Sequence, residues 1–333
     1  MTTNKMAVLA KRPFGDIKDD DFDIIEAPLE ALKDGEFRVE VAYISLDPAM
    51  RGWMNDIKSY VPPVGIGEVM RALATGTVSE SKHPKFAVGD TVSGLFGAQT
   101  HAISNGESVA KIDTNLAPMP TWMGGFGMPG MTAYFGLLEV GLPKEGETVV
   151  VSAASGAVGQ VVGQIAKIKG CRAVGIAGGP EKCAYLVEEL GFDAAVDYKA
   201  DGFYKKLRAA CPDGIDVNFE NVGGEIFDTI LAQMNPFGRV ALCGLISGYN
   251  ATELPPGPKN FPAILTKRLN IRGFIVFDYA KKYGQAIKEM AGWHAQGKLK
   301  FKEDIRDGGI EAFPQTLREL YSGGNFGKLI LKV

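Results

Sequence analysis

The rhythm of apolar positions changes part-way along this chain. Up to about residue 120 the apolar runs are short and broken by turn residues. Phe37–Ile44 alternates in part, and Val88-Gly89-Asp90-Thr91-Val92 is a hairpin-type turn with strand flanks. A β-rich domain over residues 1–122 is expected. Pro118–Gly130, rich in Gly, Pro and Met, reads as a crossover. From about residue 130 to 295 the pattern alternates between strands and helices, as in a parallel sheet covered on both faces. Strands are predicted at Val149–Val151, Cys171–Ala177, Ala194–Val196, Ile215–Phe219, Arg239–Cys243 and Asn270–Val276, with helices such as Glu181–Leu190 and Glu225–Met234 between them. A helix at Phe313–Tyr321 and a strand at Lys328–Val333 end the chain. Residues 123–297 thus form the α/β unit, and residues 298–333 are expected to return to the first domain.

The most informative stretch runs from Val149 to Gly159. A run of β-branched residues breaks into Ser152-Ala153-Ala154-Ser155-Gly156-Ala157, and a helical pattern follows. Val158, Val161, Val162, Ile165 and Ala166 mark one apolar helix face. With the strand at Cys171–Ala177 this makes a βαβ unit of about thirty residues, the arrangement that seats a dinucleotide pyrophosphate in Rossmann folds. Open N–H groups at the helix N-terminus face the phosphates, and residues without side chains let the backbone approach. Of the three glycines in the G-x-G-x-x-G fingerprint only Gly156 and Gly159 are present. A tight strand-to-helix turn with no ligand would share that pattern.

The tip of the second strand bears on which nucleotide fits. NAD-binding folds carry an Asp or Glu there to bond the ribose hydroxyls. Gly175-Ile176-Ala177-Gly178-Gly179-Pro180-Glu181-Lys182 has no acid at the strand tip and places Lys182 at the start of the next helix. A 2′-phosphate is repelled by an acid and attracted by an ammonium, so NADPH is expected. Glu181 counts slightly against this, and a plain surface role for Lys182 stays open.

Composition narrows the partners. Hydrophobic content of 46%, charged content of 23% and a formal net charge of −3 describe an ordinary globular chain. They give no reason to expect nucleic acid or an anionic membrane as a partner. No apolar run reaches the roughly 18 residues of a membrane span. The start, Met1-Thr2-Thr3-Asn4-Lys5-Met6, lacks the apolar core of a signal peptide, so a cytoplasmic enzyme is expected. Cys171, Cys183, Cys211 and Cys243 form no C-x-x-C pair, and His83, His101 and His294 stand alone. No zinc motif is visible.

With these residues in view, the whole chain resembles the medium-chain dehydrogenase/reductase superfamily. More narrowly it resembles the zinc-independent branch of prostaglandin and leukotriene reductases, alkenal double-bond reductases and bacterial curcumin-reductase-like enzymes. The markers are Ser45-Leu46-Asp47-Pro48, Gly127-Met128-Pro129-Gly130-Met131-Thr132-Ala133-Tyr134, the turn at 153–159, Glu220-Asn221-Val222-Gly223-Gly224-Glu225, Cys243-Gly244-Leu245-Ile246-Ser247 and Asn325-Phe326-Gly327-Lys328. The resemblance implies a Rossmann NADPH-binding domain beside a β-rich, GroES-like catalytic domain, and a homodimer. It implies pyrophosphate contacts from Gly156, Ala157, Val158 and Gly159, and 2′-phosphate contacts from Lys182 and Tyr198. Asn221, the loop holding Cys243, Gly244, Ile246, Ser247 and Tyr249, the segment Phe274, Ile275 and Val276, and Asn325 are further implied cofactor contacts. Zinc-using relatives carry Gly-His-Glu, where this chain has Gly65-Ile66-Gly67-Glu68. Where the branch usually reads Asp-Pro-Tyr-Met this chain reads Asp47-Pro48-Ala49-Met50, and Trp53 stands where a basic residue is common.

The implied reaction is NADPH-dependent reduction of the C=C bond of a small-molecule enal or enone. Hydride goes to the β-carbon while charge gathers on the carbonyl oxygen. Tyr249 is the expected catalytic hydrogen-bond donor, together with a cofactor ribose hydroxyl, and no metal is needed. Tyr249 packing over the cofactor without a chemical role is the competing reading. Met50, Trp53 and Tyr60 are candidate substrate-binding residues, against ordinary core and surface packing. Quinone reduction, oxidation of a 15-hydroxyl and a non-catalytic NADPH-binding role are the alternatives.

Overall fold

The computed structural model describes residues 3–333. By its contacts the chain divides into two compact units, one ending at Met123 and rejoined by Glu303–Val333, the other Gly124–Lys302.

The first unit is β-rich. β1 (Thr3–Leu9) and β2 (Phe22–Pro28) form an antiparallel pair. β3 (Phe37–Ser45) carries Phe37, Val39 and Val41 on its buried face and Glu40 on the exposed one. This alternation places one side of a strand in the core. Phe37 stacks on Phe86 with ring centroids 4.5 Å apart. After β3 a short helix, α1 (Ala49–Trp53), precedes β4 (Ala74–Ser81), β5 (Thr91–Gly94), β6 (His101–Ser104) and β7 (Ala110–Lys111). Pro62 and Pro63 fall in a loop.

The second unit opens with α2 (Met128–Phe135), followed by one π-helical stretch. β8 (Thr148–Val151) is buried at all four positions because strands flank it on both sides. α3 (Gly159–Ile168) presses Val161, Val162, Ile165 and Ala166 into the core, the face expected from periodicity. β9 (Arg172–Ala177), α4 (Pro180–Glu188), β10 (Ala194–Asp197), α5 (Phe203–Ala210), β11 (Ile215–Glu220), α6 (Gly224–Gln233) and β12 (Met234–Leu242) alternate as predicted. α7 (Pro262–Thr266), β13 (Asn270–Gly273) and α8 (Tyr283–Ala295) complete the unit. The sheet is parallel, in the order β10-β9-β8-β11-β12-β13. Chain direction across it reverses between β8 and β11, the doubly wound Rossmann arrangement.

β13 ends at Gly273, three residues earlier than expected. Phe274 leaves the sheet to pack edge-on against Phe219 (centroids 6.1 Å apart), over Gly136. A Cβ at Gly136 would lie 2.3 Å from the Phe274 ring, so only glycine permits this approach.

The chain then returns to the first unit as β14 (Glu303–Asp307), α9 (Phe313–Ser322) and β15 (Lys328–Lys332). β14 pairs with β15, and β15 pairs with β3, giving the order β14-β15-β3-β4-β5-β7. Asp304 and Arg306 sit on β14, and Asp304 accepts the Phe326 amide at 2.9 Å. Phe313 meets Phe22 edge-on at 5.5 Å.

Candidate functional site

In an open parallel sheet the ligand crevice lies beyond the carboxyl ends of the strands, at the point where strand order reverses. Those ends here are Val151, Ala177, Asp197, Glu220, Leu242 and Gly273. The turn after β8 places Gly156 through Gly159 at the N-terminus of α3, whose length lets its peptide dipoles add. Gly159 is required by space, because a Cβ there would lie 2.4 Å from the Ala153 carbonyl oxygen. At Gly156 the nearest atom to such a Cβ is that same oxygen, at 3.2 Å. Ala153 itself takes a left-handed φ of 48°, which turns the chain sharply out of the strand. The amides of Ala157 and Val158 lie at this helix N-terminus, ahead of the first residue of α3. Backbone amides at a helix N-terminus beside a glycine are the chemistry a pyrophosphate needs.

At the β9 tip, Ala177 is followed by Gly178 and Gly179. A Cβ on Gly178 would come within 3.0 Å of both Lys199 Cε and Tyr198 Cε1, so both side chains lie over this glycine. The Lys199 ammonium sits 6.0 Å from the Tyr198 ring centroid. Lys182 is half-buried in the first turn of α4. No acid lies at the end of β9. Asp197, at the end of β10, accepts the Gly179 and Lys199 amides, each at 2.9 Å. The Gly179 bond, ahead of the other contributions, holds its carboxyl below the usual range. Lys199 escaped the sequence reading, since only β10 packing beside β9 brings it to the tip.

Two loops meet beyond β11 and β12. Asn221 accepts Ile246 N–H at 3.1 Å, and Val222 accepts Ser247 N–H at 3.0 Å and the Ser247 hydroxyl at 2.6 Å. Asn221 in turn donates to Ser152, through its amide to Oγ at 2.8 Å and through its side chain to the carbonyl at 2.7 Å. The Tyr249 hydroxyl accepts Leu245 N–H at 3.2 Å and lies 3.1 Å from where a Cβ on Gly244 would be. Desolvation and the neighbouring Glu220 carboxylate push the partly exposed Cys243 thiol up to about 12.

The structure therefore brings Gly156, Ala157, Val158, Gly159, Lys182, Tyr198, Asn221, Cys243, Gly244, Ile246, Ser247 and Tyr249 to one end of one sheet. Phe274, Ile275 and Val276 follow the last strand, and the Val276 carbonyl is taken by the Tyr283 hydroxyl at 2.9 Å. Asn325 belongs to the other unit, where its side chain donates to the Gly327 carbonyl at 3.0 Å. Met50, Trp53 and Tyr60 also lie in that unit. Met50 is fully buried in its core and Trp53 is 4% exposed, while Tyr60 is 48% exposed. The Trp53 indole N–H donates to the Tyr60 hydroxyl at 3.0 Å, and the Arg71 guanidinium lies 5.5 Å over the indole.

Residues 5–112 match the family described as N-terminal domain of oxidoreductase, and residues 157–292 the family described as zinc-binding dehydrogenase. The chain is 46% identical to an NADPH-dependent curcumin reductase of Escherichia coli, over 99% of its own length and 97% of the relative's. It belongs to the medium-chain dehydrogenase/reductase family. A 2-alkenal reductase (NADP(+)-dependent) of Nicotiana tabacum is 41% identical over 99% of this chain and 98% of that one. A crystal structure of CurA from Vibrio vulnificus in complex with NADPH matches with a TM-score of 0.93 at 44% identity, covering 99% of both chains. Among the described residues no group of His, Cys, Asp or Glu stands where it could hold a metal ion. Glu68, in the place of the zinc-using motif, accepts the Gly65 amide of its own turn at 2.8 Å.

The donor set fits NADPH: helix N-terminal amides after β8, ammonium groups at the β9 tip, and glycines where loops approach. Glu220 and Ser152, which organise the loops, were not singled out from sequence. An acid closing an apolar strand just before Asn-Val-Gly-Gly was the available signal.

Proposed function

We propose that this chain uses NADPH to reduce the C=C bond of α,β-unsaturated aldehydes and ketones. The observation that carries the reading is near-full-length identity to an NADPH-dependent curcumin reductase and to a 2-alkenal reductase, joined to a nucleotide site with no acid at the β9 tip. In this reading Gly156, Ala157, Val158 and Gly159 bind the pyrophosphate, and Lys182 and Tyr198, with Lys199, bind the 2′-phosphate. Asn221, the loop from Cys243 to Tyr249, the backbone of Phe274–Val276, and Asn325 complete the cofactor contacts. Bound NADPH supplies a hydride to the substrate β-carbon.

Tyr249 then stabilises the charge that gathers on the carbonyl oxygen. Its hydroxyl accepts Leu245 N–H, and a phenolic hydroxyl can accept and donate at once, without ionising at neutral pH. Water supplies the proton to the α-carbon. Tyr60, backed by Trp53 and Met50, forms part of the apolar wall for the enal or enone.

The chain works as a cytoplasmic homodimer in this reading. Supporting the dimer, β13 is an edge strand, and Phe261 at the start of α7 and Leu265 on it are largely exposed. The four cysteines are free, as in a reducing compartment. A quinone oxidoreductase of Pseudomonas syringae, 20% identical, shares the fold alone.

The test is cofactor absorbance with a 2-alkenal, an enone and a quinone, each with NADPH and with NADH. NADPH consumption by the first two, well ahead of the quinone and of NADH, is expected. Equal use of NADH, or consumption only with quinone, refutes the reading. Light scattering checks the dimer.

A further inference from the structure

Glu220 is a charged side chain at the end of the central strand β11, fully buried. Nothing in the proposed hydride chemistry uses it. Its Oε1 accepts the Val222 and Gly223 amides, both at 2.7 Å, and the Ser152 hydroxyl at 3.0 Å. With its amide nitrogen turned toward Glu220, Asn218 donates to Oε2 at 3.1 Å and accepts Phe219 N–H at 3.2 Å. The Glu220 carbonyl accepts the Cys243 and Gly244 amides at 2.9 and 3.1 Å. Its side chain thus holds one nucleotide loop and its backbone the other. Ser152 links this centre to Asn221, and Val222 links it to Ser247.

We propose that Glu220 is a positioning residue whose ionised carboxylate sets the loops 221–224 and 243–249 for NADPH. The proposal rests on the reading of these loops as the nucleotide site. Distances of 2.7 Å to two amides are those of charge-assisted bonds, about twice as strong as neutral ones. The carboxylate also lies at the N-terminus of α6, where Gly223 takes a left-handed φ of 77° to aim its amide inward. A proton on the carboxyl weakens these bonds and lets the Asn221–Gly224 turn loosen. Burial pushes the carboxyl up to about 7, against the pull of its four donors, so the change falls within the working range of pH. The titratable side chain facing it from just after β12 is Cys243, whose thiol stays neutral there. From the turn after β8 and from β11 it meets Ser152 and Asn218, which do not titrate.

The test is the dissociation constant of NADPH, read by nucleotide fluorescence on wild-type and Glu220→Gln protein between pH 8 and pH 6. If only the ionised form holds the loops, affinity falls with the ionised fraction, about tenfold at one pH unit below the midpoint. The nucleotide's own phosphate titrates near pH 6 in both proteins, so the decisive quantity is the ratio of their constants. At pH 8 Glu220→Gln is expected to bind about tenfold more weakly, and at pH 6 nearly as well as wild type. A ratio independent of pH overturns the proposal, and absence of NADPH binding by wild type overturns the underlying reading instead. Ser152→Ala is the second variant. Removing one donor to the carboxylate moves the wild-type midpoint to higher pH, and an unmoved midpoint refutes the role.

Discussion

The hydroxyl of Tyr249 accepts the backbone N–H of Leu245, 3.2 Å away, from within the same loop. That bond holds the hydroxyl beside Gly244, 3.1 Å from where a Cβ on that glycine would lie. Tyr249→Phe removes the donor proposed for the developing enolate while keeping the ring. A loss of about 10² in kcat is expected, with little change in the KM for NADPH. Steady-state kinetics with a 2-alkenal check this. Unchanged kcat would leave Tyr249 a packing residue.

Gly156 and Gly159 separate fold from function in one turn. In Gly159→Ala the new Cβ meets backbone at 2.4 Å, which no rotamer relieves, so both melting temperature and NADPH binding should fall. In Gly156→Ala the nearest atom is 3.2 Å away. That variant should fold with nearly wild-type stability and bind NADPH more weakly, because its methyl group would stand in the turn proposed to hold the pyrophosphate. Calorimetry and titration of the two variants side by side give the answer.

The choice of nucleotide is expected to rest on ammonium groups at the β9 tip. Lys182→Ala and Lys199→Ala should each weaken NADPH about tenfold, the worth of one charge-assisted contact, and leave NADH nearly unchanged. Comparable losses for both nucleotides would assign these lysines to α4 and loop structure instead.

How much of this was legible depended on whether a residue's partner lay close in sequence. The βαβ turn, the buried face of α3 and the six parallel strands follow from local periodicity, and the structure has them. β14 did not, because Glu303–Asp307 becomes a strand only by pairing with Lys328–Lys332. The end of β13 is not legible locally, because Phe274 is as apolar as a strand residue and a glycine far back at 136 decides where it goes. Gln160 and Gln164 sit buried beside the apolar face of α3, bonding to the backbone of Lys300 and Lys302. Nothing local announces that. Met50 and Trp53 show the converse, since side chains suited to a greasy pocket wall are equally suited to the core in which they lie.

Lys328 makes a prediction about stability. Its side chain is 2% exposed, and its ammonium donates to the Leu46 carbonyl at 2.7 Å and to Asp47 at 2.9 Å. Burial lowers its pKa, opposed by Asp47. Lys328→Met fills the space but leaves Asp47 largely buried without its counter-charge, a loss of about 3–5 kcal/mol. Urea denaturation should show it. Because the pair ties β15 to the turn just before α1, reductase activity should fall with temperature earlier than in wild type.

Glu220 links stability to pH with a definite sign. Its folded-state value of about 7 lies above the 4.5 of an ordinary glutamate, so the folded chain holds a proton that the unfolded chain has released. The contribution to stability is whole below pH 4.5 and is lost as pH rises through 7, on the order of 3 kcal/mol in all. In the nucleotide-free protein, Glu220→Gln should remove that slope and, at pH 8, melt no lower than wild type, since it carries no buried charge. The same variant should bind NADPH more weakly at that pH. A residue kept only for packing would lower melting temperature and affinity together, whereas a carboxylate kept for the loops moves them in opposite directions. Melting curves and NADPH titrations at pH 5, 6, 7 and 8 on both proteins decide between the two, and a variant that is less stable than wild type at every pH would reject the assignment.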